Sequence, residues 1–159
     1  MKISPITSSH WPQIERLQHA AYSDDLPESM SVLKSKVTAS PQTCFVCLNE
    51  QQQVVGYLIS HPYHKGSTPK LHQITSKIDS IHLHLHDLAI APVAQGKGLP
   101  KLLLNHLFTF LDTTIYQSVS LISVQNSATF WQKYGFITDN SLGASTTYGD
   151  KAVCMSRLI

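Results

Sequence analysis

Three histidines alternate with Leu83 and Leu85 in "HLHLHDLAI", residues 82–90. Successive side chains of an extended strand point to opposite faces, so His82, His84 and His86 share one face and the leucines take the other. Imidazole changes charge between pH 5 and 8 and is also a common metal ligand. The row is therefore a proton-handling site, a metal site or a polar face turned to water. Zinc is the weakest of these, because no nearby Asp, Glu or Cys completes a tetrahedron. Asp87 lies next to His86 but, on a regular strand, points to the opposite face.

Immediately downstream, "APVAQGKGLP" sets Gly96 and Gly98 between this strand and a helix. Glycines let backbone N–H groups approach an anion, and the helix adds the positive end of its dipole. The P-loop pattern GxxxxGK[ST] is absent, and a dinucleotide fingerprint would need glycine where Lys101 stands. Taken alone, the glycines fit a plain turn into a core helix as well as an anion site.

The elements around these residues follow from periodicity. "KISPI" opens as a short strand, with Thr7 to His10 as capping residues. Trp11, Ile14, Leu17, Ala20 and Ala21 keep helical spacing, and a second helix is expected over Met30–Ala39. "TCFVCLNE" and "QVVGYLIS" form an antiparallel hairpin around "NEQQQ". Residues 62–79 show no period, and a connection that long is often functional. After the histidine strand and glycine turn, Leu99, Leu102, Leu103, Leu107, Phe110 and Leu111 predict a helix from Leu99 to about Asp112. A strand "SVSLISV", a short helix with Asn126 as its cap and Gly135 at its end, and the strands "FIT" and "KAVCMSRLI" close the chain. The order β-α-α-β-β-β-α-β-α-β-β describes one α/β domain over residues 1–159 with a mixed sheet.

Composition narrows the classes. The net charge of +2 and the absence of any basic run argue against nucleic acid and membrane as partners. Cys44 and Cys47 have CxxC spacing, yet three positions apart on a strand they face opposite ways. They suit neither a metal nor a redox dithiol. The start "MKISPITSSHW" has no apolar signal region, so the chain is expected to be soluble and cytoplasmic.

The segment "LHDLAIAPVAQGKGLPKLLLNHLF" resembles the signature of the GNAT superfamily of acetyl-CoA-dependent N-acetyltransferases: a strand of type LxxLAV, a loop, [QR]-x-x-G-x-[GA], then a helix. Gln95 and Gly98 fill the first and fourth slots, and Pro100 stands where Gly or Ala is expected. "FWQKYGF" is similar to the family's FYxKxGF helix-turn, so the resemblance covers nearly the whole chain. "HLHDLAI" further resembles the HLHxLAV strand of the arylalkylamine (serotonin) N-acetyltransferases, whose two histidines match His84 and His86.

That resemblance implies an α/β (α+β) fold whose mixed, mostly antiparallel sheet is flanked by helices, and an N-acetyltransferase that moves the acetyl group of acetyl-CoA, its cosubstrate, to a primary amine of a small molecule. It implies that the pyrophosphate sits on Gln95, Gly96, Lys97, Gly98, Leu99, Pro100 and Lys101, less the N–H that Pro100 lacks. Leu88, Ala89 and Ile90 would pair with the pantetheine arm, the Leu88 N–H facing the thioester carbonyl. His84 and His86 would relay the amine proton through water, with hydrogen bonding within the sheet as their bland alternative. Asp24, Asp25 and Glu28 would wall the acceptor site, or simply be solvated. Trp131, a cofactor-binding position, takes the place of the tyrosine that protonates the leaving thiolate. Either Tyr134 does that work or no acid is needed, and the position of Tyr134 before Gly135 favours the second. A homodimer is left open, no metal is expected, and the rival reading is a degenerate acyl-CoA-binding domain acting as sensor or partner subunit.

Overall fold

The computed structural model describes residues 1–23, 25–143 and 146–159; Asp24, one of the acidic candidates, lies outside the described residues. The elements are β1 (Lys2–Pro5), α1 (Trp11–Ala21), α2 (Met30–Ala39), β2 (Phe45–Leu48), β3 (Val54–Pro62), β4 (His82–Ile90), α3 (Leu99–Leu111), β5 (Ser118–Ser123), α4 (Ala128–Gln132), β6 (Ile137–Thr138) and β7 (Val153–Leu158). They follow the order expected from periodicity. Among the described residues the strands form one seven-stranded sheet, β1-β2-β3-β4-β5-β7-β6, in which only β4 and β5 run parallel.

Each face of the sheet has its own apolar layer. Leu99, Leu103, Leu104, Leu107 and Leu111 of α3 are buried on one face against Leu58, Leu83, Leu85 and Val119. A fully buried leucine contributes roughly 1.5–3 kcal/mol, so this stripe dominates that layer. Ile14 and Leu17 of α1 and Leu33 of α2 pack on the other face against Val46, Tyr57 and Ile59. Cys44 belongs to the second layer and Cys47 to the first, so both thiols are buried on opposite faces. α2 begins where the Ser29 hydroxyl accepts the Val32 N–H. α4 begins one residue later than expected: Ser127 is its cap, and Asn126 sits in the left-handed region at φ 58°.

The register of β4 departs from regular alternation. Asp87 pairs with Ile59 and Leu85 pairs with Ser60, so His86 is an extra residue bulged out of the ladder. On its other edge β4 pairs with β5 only through His82, His84 and the residue between them, opposite 118–120. Beyond that point the two parallel strands separate.

The long connection between β3 and β4 has no regular structure, yet side chains tie it down. Lys36 of α2 is fully buried, and its ammonium donates to the Gln73 carbonyl and to Thr75 Oγ1. Burial lowers the Lys36 pKa, while the charges of Glu28 and Asp87 oppose that shift. Lys36→Met keeps the stem but removes the charged donor from two part-buried hydrogen bonds, to the Gln73 carbonyl and Thr75 Oγ1, a cost of about 1–3 kcal/mol. The expected result is a lower urea midpoint and faster proteolytic cleavage within residues 63–81; wild-type cleavage rates would show that Lys36 does not hold the connection.

Candidate active site

The bulge decides what the site contains. Two consecutive residues of a bulged strand turn toward one face, and here His86 and Asp87 do so. Asp87 therefore does not face away from the histidines, as regular alternation predicts. Its carboxylate lies among Tyr22 and Tyr57 on the α1/α2 side: Tyr22 OH donates to Oδ1 at 2.6 Å and Tyr57 OH to Oδ2 at 2.7 Å.

Glu28 meets His86 from the segment between α1 and α2. Both side chains are almost fully buried, and His86 Nε2 pairs with Glu28 Oε1. Glu28 Oε2 accepts the His72 N–H at 2.8 Å, and the Glu28 backbone is clasped by the Gln18 side-chain amide at both N–H and carbonyl. Burial pushes the Glu28 carboxyl up, but His86, the His72 N–H and Lys36 together outweigh it and hold the pKa below the ordinary value. Glu28 is thus an ionised acceptor, which fixes the hydrogen of His86 on Nε2 and leaves a lone pair on Nδ1. That Nδ1 is buried without a partner. Asp25 is exposed, and its carbonyl accepts from His72 Nε2 at 2.8 Å.

The other histidines form a ladder behind His86. The Ser120 hydroxyl stands between His82 Nε2 (2.9 Å) and His84 Nδ1 (3.2 Å), and Ser118 holds His82 Nδ1 at 2.6 Å. The His84 ring lies 6.0 Å from His86 and 5.8 Å from His61 of β3, centroid to centroid. His61 Nδ1 lies 3.0 Å from the Pro62 carbonyl, so it carries the hydrogen, and buried Nε2 is a second unpartnered acceptor. Burial, then the neighbouring His86 charge, pushes His61 down to about 3; burial and the other histidines push His84 well below its ordinary value. Among the described residues no group of His, Cys, Asp and Glu is arranged to hold a metal ion.

A cavity of about 500 Å³ fills the separation between β4 and β5. Tyr22, Glu28, His86, Asp87 and Leu88 line one part of it, Leu121, Ile122 and Trp131 another, and Gln95, Gly96 and Pro100 a third. The Ala91 N–H donates to Val55 of β3 at 2.9 Å, so by alternation Leu88 and Ile90 turn their backbone groups away from β3, toward the gap. The Leu88 carbonyl accepts from Tyr22 OH at 3.0 Å. Gly96 and Gly98 adopt φ of 74° and 73°, a left-handed geometry that favours glycine. Among the described residues nothing accepts the N–H groups of Gly96, Lys97, Gly98, Leu99 and Lys101. Such a turn at a helix N-terminus is chemically fit for a phosphate.

Of the sequence candidates, His86, Leu88, Ala89, Ile90, Gln95, Gly96, Pro100, Trp131 and Glu28 come together around this cavity. His84 is buried behind it. The Leu99 side chain goes to the core, leaving only its backbone for the turn. Trp131 donates its N–H to Ser127 Oγ at 3.2 Å, and Tyr134 stacks on Phe130 with ring centroids 5.1 Å apart, away from the cavity lining. Tyr22, Tyr57, His61 and Asp87 carry functional geometry that spacing alone did not reveal. For His61 there was a signal, a lone histidine on an apolar strand; the tyrosines meet Asp87 only through the fold.

A model of the acetyltransferase (GNAT) family matches residues 11–136. No curated protein matches the chain. Among solved structures, Ard1 from Thermoplasma volcanium aligns with a TM-score of 0.77 at 15% identity, over 99% of this chain and 97% of that one. The ribosomal-protein-S18-alanine N-acetyltransferase from Escherichia coli aligns with 0.69 at 17% identity, over 99% and 93%. A phosphinothricin acetyltransferase from Sinorhizobium meliloti, in complex with AcCoA, aligns with 0.70 at 14% identity, over 99% and 88%. At these identities the likeness speaks for the fold alone.

The buried histidines give a measurable linkage. His61 and His84 take up protons near pH 6.5 when unfolded but far lower when folded, so the unfolded state binds more protons in between. Their contribution to stability is complete above about pH 6.5 and is lost as pH falls below it. Replacing His61 by Leu should reduce the slope of unfolding free energy against pH by about 1.4 kcal/mol per pH unit between pH 6 and 4. Urea titrations at several pH values test this, and an unchanged slope would mean that His61 is protonated in the folded chain.

Proposed function

The chain belongs to the acetyltransferase (GNAT) family, and from that premise we propose that it transfers the acetyl group of acetyl-CoA to a primary amine of a small molecule by direct attack. One observation carries this reading. An orphaned, buried imidazole nitrogen, His86 Nδ1, has its ring oriented by an ionised Glu28 at the wall of a cavity that also reaches a glycine turn fit for phosphate.

Each part has a task in that reaction. The N–H groups of the Gly96–Lys101 turn, with Gln95 beside them, receive the pyrophosphate, and Pro100 contributes no donor. Leu88, Ala89 and Ile90 lie along the pantetheine arm, with the Leu88 N–H aimed at the oxygen that becomes negative during attack. Alkylamines arrive protonated, with a reference pKa of about 10.4, and must lose a proton first. His86 Nδ1 accepts it, Glu28 stabilises the imidazolium so formed, and His84 is the next station of a water-assisted relay. Glu28 is committed to His86 and His72, so the acceptor's cationic group finds its proton acceptor there rather than a free carboxylate. The likeness of "HLHDLAI" to the arylalkylamine enzymes supports a small aryl-alkyl or polyamine-like acceptor, and Leu71 and Tyr148 add apolar and aromatic surface to the cavity lining.

Calorimetry should show saturable acetyl-CoA binding and no NAD binding, and thiol release with an amine panel should favour small primary amines over peptides. Acetylation of peptide N-termini alone would refute the acceptor class, and acetyl-CoA binding without turnover on any amine would leave a sensor. His86→Gln should lower kcat about 100-fold near neutral pH, the loss shrinking as pH rises and the amine deprotonates unaided. A pH–rate profile parallel to wild type would rule out His86 as the base. Gly98→Val forces a branched residue into the left-handed region, which costs about 1–3 kcal/mol of stability, and should also weaken acetyl-CoA binding.

A further inference from the structure

The reaction proposed above leaves a thiolate to be protonated, and the two residues that family resemblance offers for it are turned elsewhere. The Trp131 N–H is spent on Ser127, and Tyr134 stacks outside the cavity. Two other tyrosines line the cavity, Tyr22 and Tyr148. Tyr148 is buried, with its hydroxyl donating to the Pro69 carbonyl at 3.0 Å. Tyr22 is different. It caps the C-terminus of α1 in extended conformation, its N–H on Gln18, and its hydroxyl reaches the Leu88 carbonyl, which faces the gap between β4 and β5.

We propose that Tyr22 is the catalytic acid that protonates the departing CoA thiolate, and that Asp87 is the positioning residue that replaces its proton; this rests on the acetyl-CoA reading above. The geometry is a one-proton switch. The Tyr22 hydroxyl has a single hydrogen and stands 2.6 Å from Asp87 Oδ1 and 3.0 Å from the Leu88 oxygen. With Asp87 ionised, that hydrogen goes to the carboxylate and the Leu88 oxygen is left over. With Asp87 protonated, its O–H donates to the Tyr22 oxygen, and the Tyr22 hydrogen is free for Leu88 or for a sulfur beside it. Tyr57 holds the other carboxyl oxygen in either state.

The environment supports this use. Burial pushes the Asp87 carboxyl up, against the opposing effects of Tyr22, Tyr57 and His86. Burial and Asp87 also push Tyr22 well above its ordinary value, so a lone tyrosinate is costly and the hydroxyl must be resupplied as it gives its proton. The steps balance. The amine lone pair forms the N–C bond, and the C–S pair leaves with sulfur. The Tyr22 proton goes to sulfur as the Asp87 proton moves to the Tyr22 oxygen. Asp87 is then reprotonated with the proton that His86, its neighbour in the bulge, took from the ammonium. His86 thus acts twice in each transfer: one of the two ammonium protons goes on to Asp87 and ends on the CoA thiol, and the other goes by way of His84 to solvent.

The test compares Tyr22→Phe, Asp87→Asn and the double variant with wild type, measuring kcat with a small primary amine and acetyl-CoA affinity by calorimetry. Asparagine still donates to Tyr22 and keeps the arrangement, but it supplies no acid. Each single variant should lose on the order of 100-fold in kcat with acetyl-CoA affinity unchanged, and the double variant should be no slower than the slower single. Wild-type kcat in Tyr22→Phe overturns the proposal, and wild-type kcat in Asp87→Asn overturns the part of Asp87. Additive losses accompanied by weaker acetyl-CoA binding assign both to packing and overturn it too. If Tyr22→Phe does not fold, Asp87→Asn decides alone, and wild-type kcat there then overturns the whole proposal. Failure of the wild-type chain to bind acetyl-CoA would bring down the underlying reading, whereas an active wild type with an equally active Tyr22→Phe brings down only this one.

Discussion

One extra residue in β4 governs the rest of the site. Without the bulge at His86, strict alternation would send Asp87 to the α3 face, into a layer of leucines with no partner for a carboxylate. With it, His86 and Asp87 both reach the α1/α2 face, where Glu28 pairs with His86 Nε2 and Tyr22 and Tyr57 donate to the two Asp87 oxygens. A bulge also increases local twist. That agrees with the point at which β4 leaves β5, just beyond their last paired residues. The cavity and the chemistry at its wall thus share one backbone irregularity.

Burying Glu28 against His86 is an expensive arrangement, since charges taken out of water are repaid only by good geometry and full hydrogen bonding. Here the geometry is over-determined from several directions. The Gln18 side chain clamps the Glu28 backbone, His72 caps the second carboxylate oxygen, and Lys36 ties the same connection through Gln73 and Thr75. The long connection between β3 and β4 is therefore a structural wall despite its lack of helix or strand. Its order is electrostatic and polar, with Leu71 as a buried apolar anchor.

The elements were legible because their apolar periods are clean: five buried leucines of α3 recur at helical spacing, and alternation in β4 put His82 and His84 on one face. The glycine turn was legible too, since Gly96 and Gly98 adopt the left-handed conformations that such a loop requires. Asp87 was misread for a physical reason. Period-two reasoning assumes an unbroken ladder, and nothing in "HLHDLAI" marks where a residue is inserted. Glu28 could be named as a candidate but not as the partner of a histidine 58 positions away, and Tyr22 lies 65 positions from Asp87. Such pairs are consequences of sheet order, and no local spacing encodes them.

The same groups bear on the stability of this face and on the chemistry proposed for it. His61 and His84 are stable only as neutral imidazoles, because water is excluded and each would repel a charge on the next. Neutral rings in contact are also what a relay needs, since a station already protonated can accept nothing. His86 differs, because its Nε2 meets the Glu28 carboxylate. The histidine row in β4 is therefore unequal by construction. Burial above all lowers the pKa of its first two members, and the bulge delivers the third to the Glu28 carboxylate.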